Sequence, residues 1–336
     1  MANYETIVDS ADPYINGLTW GIKWSLKDPQ NTDITRLTYS FPTDRSAYDP
    51  AYATTIDSTN ALYNQPSTFN PLLTPAQSSV RIALDMFSAV ANLKFVEDTG
   101  TGQSSNLRFG FTNNLGDALG ITRVANSAIG AGDVWFKDTK WKSPAVGTGN
   151  FWLILHETAH ALGLKHANGG IDDVSQNLEL PTDHWSAEYT VMLKDTGFTP
   201  YASFPNGDSY FQSLMMDDIR ALQFLYGANF NTHAGNTVYK WTPGSGGMTI
   251  NEGGQGDVPQ PAPNVNKIGL TIWDGGGTDT YDFSSYQTDL TIDLRPGYWS
   301  TTSSSQLLTD RSGGKKAKGN IANAYRRAAE HASLPH

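Results

Sequence analysis

Phe151-Trp152-Leu153-Ile154-Leu155-His156-Glu157-Thr158-Ala159-His160-Ala161-Leu162-Gly163-Leu164-Lys165-His166 is the stretch that decides how this chain is read. It holds H-E-x-x-H followed without a gap by x-x-G-x-x-H. On a helix, His156 and His160 share one face one turn apart, within reach of a single ion. Glu157 projects beside that ion without ligating it. Gly163 falls where the helix should stop, because glycine tolerates the left-handed conformation that ends helices. The reversal there brings His166 round as a third nitrogen ligand. Three protein ligands leave one position of a tetrahedral zinc open to water, the catalytic rather than the structural arrangement. The plain alternative is a helix with incidental histidines. The preceding FWLIL run argues for burial, and two histidines and a glutamate are costly to bury without a purpose.

Composition narrows the field. The chain has 336 residues, a length that suits one large domain or two, and a net charge of −10. The acidic balance argues against nucleic acid or an anionic membrane as partner. There are no cysteines, so disulfides, thiolate metal sites and a cysteine nucleophile are excluded. The start, MANYETIVDSADPYINGLTW, has neither a basic nor an apolar signal region and does not read as a cleavable secretory signal.

Upstream of the histidine stretch, residues 1–30 read as a short prosegment or as an arm packed on the fold. Ile34 to Phe41 reads as a strand. Thr74-Pro75 opens a helix running to Ala91, with Val80, Leu84, Phe87 and Val90 on one face. Leu93 to Val96, Asn106 to Phe111 and Ala131 to Phe136 read as further strands. Downstream, residues 167–187 are loop-like and acidic, with Asp172, Asp173, Glu179 and Asp183, and His184 reads as a surface histidine. Ser213 to Tyr226 reads as a helix, with Asp217 and Asp218 as anchoring groups at its start. Residues 243–266 read as linker or long loop, and Tyr286 to Leu294 as a strand. In Asp274-Gly275-Gly276-Gly277-Thr278-Asp279, carboxylates alternate with glycines on a tightly turning backbone, which suits calcium.

The extended histidine pattern resembles that of the metzincin zinc proteases. Tyr189-Thr190-Val191-Met192 stands where those proteins have a methionine turn. LTYSFP (Leu37 to Pro42), MMDDIRALQFLYGAN (Met215 to Asn229) and WDGGGTDTYDFSSY (Trp273 to Tyr286) narrow the resemblance to the serralysin family of secreted bacterial proteases, over roughly residues 30 to 300. The resemblance implies an α+β fold. A metzincin-type zinc protease domain, a twisted mixed sheet plus long helices, spans 31–232. A short, truncated, partial β-roll-like domain spans 233–336, and 1–30 form the arm or prosegment.

The family implies zinc on His156, His160 and His166, with Glu157 as general base and Met192 beneath the metal. It implies structural calcium on Asp274, Gly276 and Asp279, with Gly235 and Thr237 contributing upstream. It also implies that the edge strand above the metal pairs with an extended substrate, which assigns Gly132, Val134 and Trp135 to substrate binding.

Two features depart from the family. Lys194 stands two residues after Met192, where tyrosine is usual and donates to the developing oxyanion. Beyond about Asp310 the chain turns basic, with no β-roll repeat. The leading expectation is a secreted, monomeric zinc endopeptidase acting on protein or peptide substrates through a zinc-activated water. The alternatives are a binding or adhesion protein on the same fold with little turnover, and a metal-dependent hydrolase acting on something other than peptides.

Overall fold

The computed structural model describes residues 3–49, 65–125, 130–138, 141, 144–168, 178–193, 209–310 and 315–325. At the start of the chain, β1 (Tyr4–Thr6) pairs antiparallel with β2 (Ile22–Trp24), and the short helix α1 (Pro13–Asn16) lies between them in sequence. The main sheet comprises β3 (Lys27–Asp28), β4 (Asn31–Ser40), β5 (Leu93–Glu97), β6 (Leu107–Thr112), β7 (Gly120–Thr122) and β8 (Asp133–Lys137). Its order is β3-β4-β6-β8-β7, with β5 also paired to β4. The pairs β4–β5, β4–β6 and β6–β8 are parallel, whereas β3–β4 and β7–β8 are antiparallel.

A parallel pair needs a crossover, and helix α2 (Thr74–Val90) supplies it between β4 and β5. Its buried Val80, Ala83, Leu84, Phe87 and Val90 follow the helical period and form one inward face. Helix α3 (Gly149–Ala161) begins at Thr148, whose hydroxyl accepts from the Phe151 amide at 3.2 Å. Phe151, Leu153, Ile154, Leu155 and Ala159 are all buried, so this helix is apolar nearly all round and runs through the core.

The C-terminus of α3 is closed by groups from distant parts of the chain. A helix leaves its last carbonyls without intrahelical partners. Here the Trp24 indole donates to Ala161 O at 2.8 Å, and the Tyr226 hydroxyl donates to Leu162 O at 2.7 Å. Gly163 then takes φ +103° and the chain reverses. The Trp20 amide donates to Gly163 O at 3.0 Å, and Lys165 N to Leu18 O at 2.8 Å. The first residues therefore lie against the turn as a packed arm, with Leu18 and Trp24 in the main core. Helix α4 (Met216–Tyr226) supplies Tyr226 and ends at Gly227, φ +83°.

The remaining chain adds β9 (Thr237–Trp241), β10 (Met248–Glu252), β11 (Val258–Pro259), β12 (Leu270–Ile272), β13 (Thr280–Asp282), β14 (Trp299–Ser300) and β15 (Ile321–Asn323). They form a four-stranded sheet, β11-β10-β9-β13, and a three-stranded sheet, β12-β15-β14. Two expectations change here. Residues 243–266 hold β10 and β11, which pair antiparallel on β9; their glycine- and proline-rich surroundings mask two short strands. Tyr286 to Leu294 forms no regular strand, only an isolated bridge between Thr291 and Thr301. The segment after Asp310 supplies β15, the central strand of its sheet.

One apolar core crosses the expected boundaries at residues 30 and 232. Trp273, Leu307, Leu308, Ala317 and Ala324 belong to the same buried cluster as Phe87, Leu153 and Met192. Among the described residues no helix is long and apolar enough to cross a membrane.

The turn at Gly163 gives a direct test. A methyl group there would overlap the Ile22 carbonyl oxygen, and the backbone sits in the left-handed region. Gly163→Ala is expected to destabilise the protein by about 1–3 kcal/mol and to weaken metal retention. Thermal melting and zinc quantification on the purified variant check both effects.

Candidate metal centre

Helix geometry places His156 and His160, and the Gly163 reversal adds His166. Their three Nε2 atoms form a near-equilateral triangle, with separations of 3.1, 3.2 and 3.2 Å. Nitrogen ligands at about 2.0–2.1 Å in tetrahedral directions around zinc lie ~3.3–3.4 Å apart, so the triangle matches one face of such a site. The opposite ring nitrogens are committed elsewhere. His156 Nδ1 donates to Val191 O at 2.7 Å, and His160 Nδ1 donates to Leu164 O at 2.8 Å. Those bonds fix the tautomer that turns the Nε2 lone pairs toward a shared ion. Among the described residues this is the one group of three or more histidine, aspartate or glutamate side chains close enough to hold a metal. Three neutral imidazoles suit zinc.

Glu157 follows His156 on α3 and is 4% exposed. Its Oε2 accepts from the Thr122 hydroxyl at 2.7 Å. Burial pushes its carboxyl up to about 8, partly opposed by the Thr122 hydrogen bond. Gly120 lies against the same carboxyl, and a Cβ there would overlap Glu157 Oε1. The short strand β7 therefore runs directly over the carboxylate.

Beneath the histidines lies the methionine segment. Met192 is fully buried, and Ala167 N, next to His166, donates to its carbonyl at 2.9 Å. Asp218, in the first turn of α4, holds this segment. Its Oδ1 accepts from the Thr190 hydroxyl at 2.6 Å, and its Oδ2 accepts from Val191 N at 2.8 Å and Met215 N at 2.9 Å. Burial pushes the Asp218 carboxyl up to about 7 against these three donors. The chain of contacts runs from Asp218 through Val191 to His156.

Several sequence expectations are relocated. Val134 and Trp135 are fully buried in β8, and Gly132 precedes it. β8 is paired on both sides, parallel to β6 and antiparallel to β7, so its backbone groups are already used. The strand that carries Val134 and Trp135, with Gly132 just before it, is therefore not an open edge; among the described residues the outermost strand at that end of the sheet is β7. A three-residue strand, Gly120-Ile121-Thr122, is too short to give a periodic sequence signal.

His184 is buried rather than on the surface. It stacks on Tyr189 with ring centroids 3.6 Å apart, and its Nδ1 donates to Asp217 at 2.6 Å. The Tyr189 hydroxyl accepts from Lys318 at 2.7 Å. Lys194, Asp172 and Asp173 lie outside the described residues.

The expected calcium residues meet in the C-terminal region. The loop from Asp274 to Asp279 packs onto the Gly235 carbonyl so closely that a Cβ on Gly277 would overlap it. Thr237 N donates to Asp279 Oδ1 at 3.0 Å, and the Thr237 hydroxyl donates to Gly235 O at 3.2 Å. Asp274 accepts from Gly276 N at 2.9 Å and from the Tyr239 hydroxyl at 2.6 Å. Burial raises the Asp274 carboxyl first, and the neighbouring Asp279 charge adds to it. Carboxylates drawn together with backbone carbonyls fit a hard cation with oxygen ligands. His233, at a left-handed φ of 51°, pairs with Glu252 beside this loop.

Comparison with known proteins bears on both regions. Residues 228–305 match the family described as Peptidase M10 serralysin C terminal. The chain is 31% identical over 327 residues to a serralysin from Proteus mirabilis, covering 89% of this chain and 60% of that protein. It is 28% identical over 279 residues to serralysin B from Dickeya chrysanthemi, covering 79% and 52% respectively. It is also 28% identical over 245 residues to the metallopeptidase AprA of Pseudomonas marginalis, covering 70% and 49%. The chain thus spans about half to three-fifths of the length of these relatives. The chain is thus similar to serralysin-type metalloproteases along most of its length, and its residues 228–305 match the serralysin C-terminal family.

Proposed function

We propose that the chain is a zinc-dependent endopeptidase, and the observation that carries this is the Nε2 triangle of His156, His160 and His166, with Glu157 next to His156 on the same helix. The catalytic unit is assigned to residues 31–232, with 1–30 an arm on it and 233–336 a calcium-holding, partly β-roll-like region. The resemblance to serralysins supports a monomer exported from a bacterium and acting on protein or peptide substrates.

His156, His160 and His166 would hold the zinc. When bound, the ion supplies Lewis-acid polarisation of a carbonyl and makes a coordinated water more acidic. Glu157 takes a proton from the attacking water as its oxygen bonds to the scissile carbonyl carbon. When the C–N bond breaks, Glu157 passes that proton to the departing nitrogen. Burial raises the Glu157 carboxyl, and the charge of a bound dication close by would draw it back toward the ionised form that a base needs. Strand β7 takes the role first assigned to β8: its outer edge offers backbone groups to an extended peptide, and its inner face lies over Glu157.

Glu157→Gln is expected to keep zinc at wild-type stoichiometry and to lose casein hydrolysis by about 10²–10⁴-fold. Zinc analysis run alongside casein turnover reads both. Near-normal hydrolysis by the variant would overturn the assignment of the base. His156→Ala should lose the ion itself.

Asp218 reaches the site only through the methionine segment. Asp218→Ala should therefore weaken zinc affinity about 10–100-fold, measured by competition with a chelator, while Asp217→Ala should leave that affinity closer to wild type.

Calcium is expected to stabilise the region around Asp274 and Asp279, because an ion that binds only the native state raises apparent stability by mass action. The melting temperature should rise on calcium addition, and Asp279→Ala should abolish the rise. A wild-type melt indifferent to calcium would remove the site.

A further inference from the structure

We propose that Thr122 is a positioning residue for Glu157, so that the strand offered to substrate also sets the orientation of the base; this rests on the endopeptidase reading above. Strand β7 is three residues long, and side chains along a strand alternate between its two faces. Gly120 and Thr122 therefore share one face, and that face meets Glu157. Gly120 leaves room for Oε1, since any Cβ would overlap it. Thr122 brings a hydroxyl to Oε2 at 2.7 Å. Ile121 points the other way and packs with Tyr48, Leu115 and Trp135.

Among the described residues Thr122 is the one side chain whose hydrogen bond to Glu157 is resolved, and the carboxyl is almost wholly buried. A buried carboxylate with one hydroxyl partner is held in one rotation by that partner. The hydroxyl donates to Oε2, which leaves Oε1, on the Gly120 side, to face the proton being moved. The packing of Ile121 fixes the strand, the strand fixes Thr122, and Thr122 fixes the carboxyl. A peptide paired along β7 would tighten this chain, because it would order the same three residues.

Thr122→Val keeps the shape and the β-branch and removes only the hydroxyl; Thr122→Ser keeps the hydroxyl. With a peptide substrate, Thr122→Val is expected to lower kcat about 10- to 100-fold, with KM changed by less than about threefold. Thr122→Ser should stay within about threefold of wild type in kcat. Zinc content should be unchanged in both. The contact itself is read without turnover: the infrared band of the Glu157 carboxyl, isolated by subtracting the Glu157→Gln spectrum, should shift in Thr122→Val and stay in place in Thr122→Ser. A Thr122→Val enzyme with wild-type kcat, or a Glu157 band that does not move, overturns the proposal. If the wild-type protein cleaves no peptide while the Glu157 band still shifts in Thr122→Val, the endopeptidase reading is overturned and the positioning contact stands.

Discussion

The third histidine depends on a chain reversal, and the reversal depends on capping a buried helix end. Two imidazoles come from the period of α3 alone. His166 is beyond the helix and reaches the same point only if the backbone turns within three residues. Gly163 permits the turn, but permission does not hold it. The carbonyls of Ala161 and Leu162 would be left unpaired in an apolar interior, at roughly 1–3 kcal/mol each. Trp24 and Tyr226 satisfy them, one from the N-terminal arm and one from α4. Arm and last helix are thereby part of the metal centre without touching it.

The same logic appears below the histidines. Asp218 sits where a helix N-terminus favours a carboxylate, and its donors come from the cap position and from the methionine segment. It therefore fixes the angle between α4 and the Val191 carbonyl that orients His156. Glu188, in the segment leading to Met192, accepts from Lys318 N at 2.5 Å, and Lys318 also donates to Tyr189. Arg220 of α4 lies over the rings of Tyr14 and Tyr325. Residues from both ends of the described chain thus converge on the support of one loop.

How much of this could be read from the sequence follows from the range of the interactions. The histidine spacing, the glycine stop, the faces of α2 and the strands β4, β5, β6 and β8 were legible because each is set within a few residues. Asp217 and Asp218 were legible as anchors because helix ends have local rules. The topology was not: nothing local says that β7 inserts beyond β8, and that one pairing moves the open edge away from Gly132, Val134 and Trp135. His184 looked like a surface residue because its partner Asp217 is far away in sequence. The strands within 243–266 were hidden by composition, since glycine and proline weaken strand signals while pairing to β9 supplies the order.

The basic segment after Asp310 shows why composition misleads at a distance. It is basic and carries no β-roll repeat, yet Ile321 and Ala322 are fully buried in the centre of a three-stranded sheet. A strand flanked on both sides has to present apolar residues at its pairing positions, and Ile321-Ala322-Asn323 does so with the shortest possible run. The lysine before it is drawn to the buried ring of Tyr189 and to Trp299, a cation over aromatic faces. Charge in this segment is thus a means of attachment: Lys318 fastens the last strand to the loop that carries Met192, and through that loop the second β region is mechanically continuous with the histidine site.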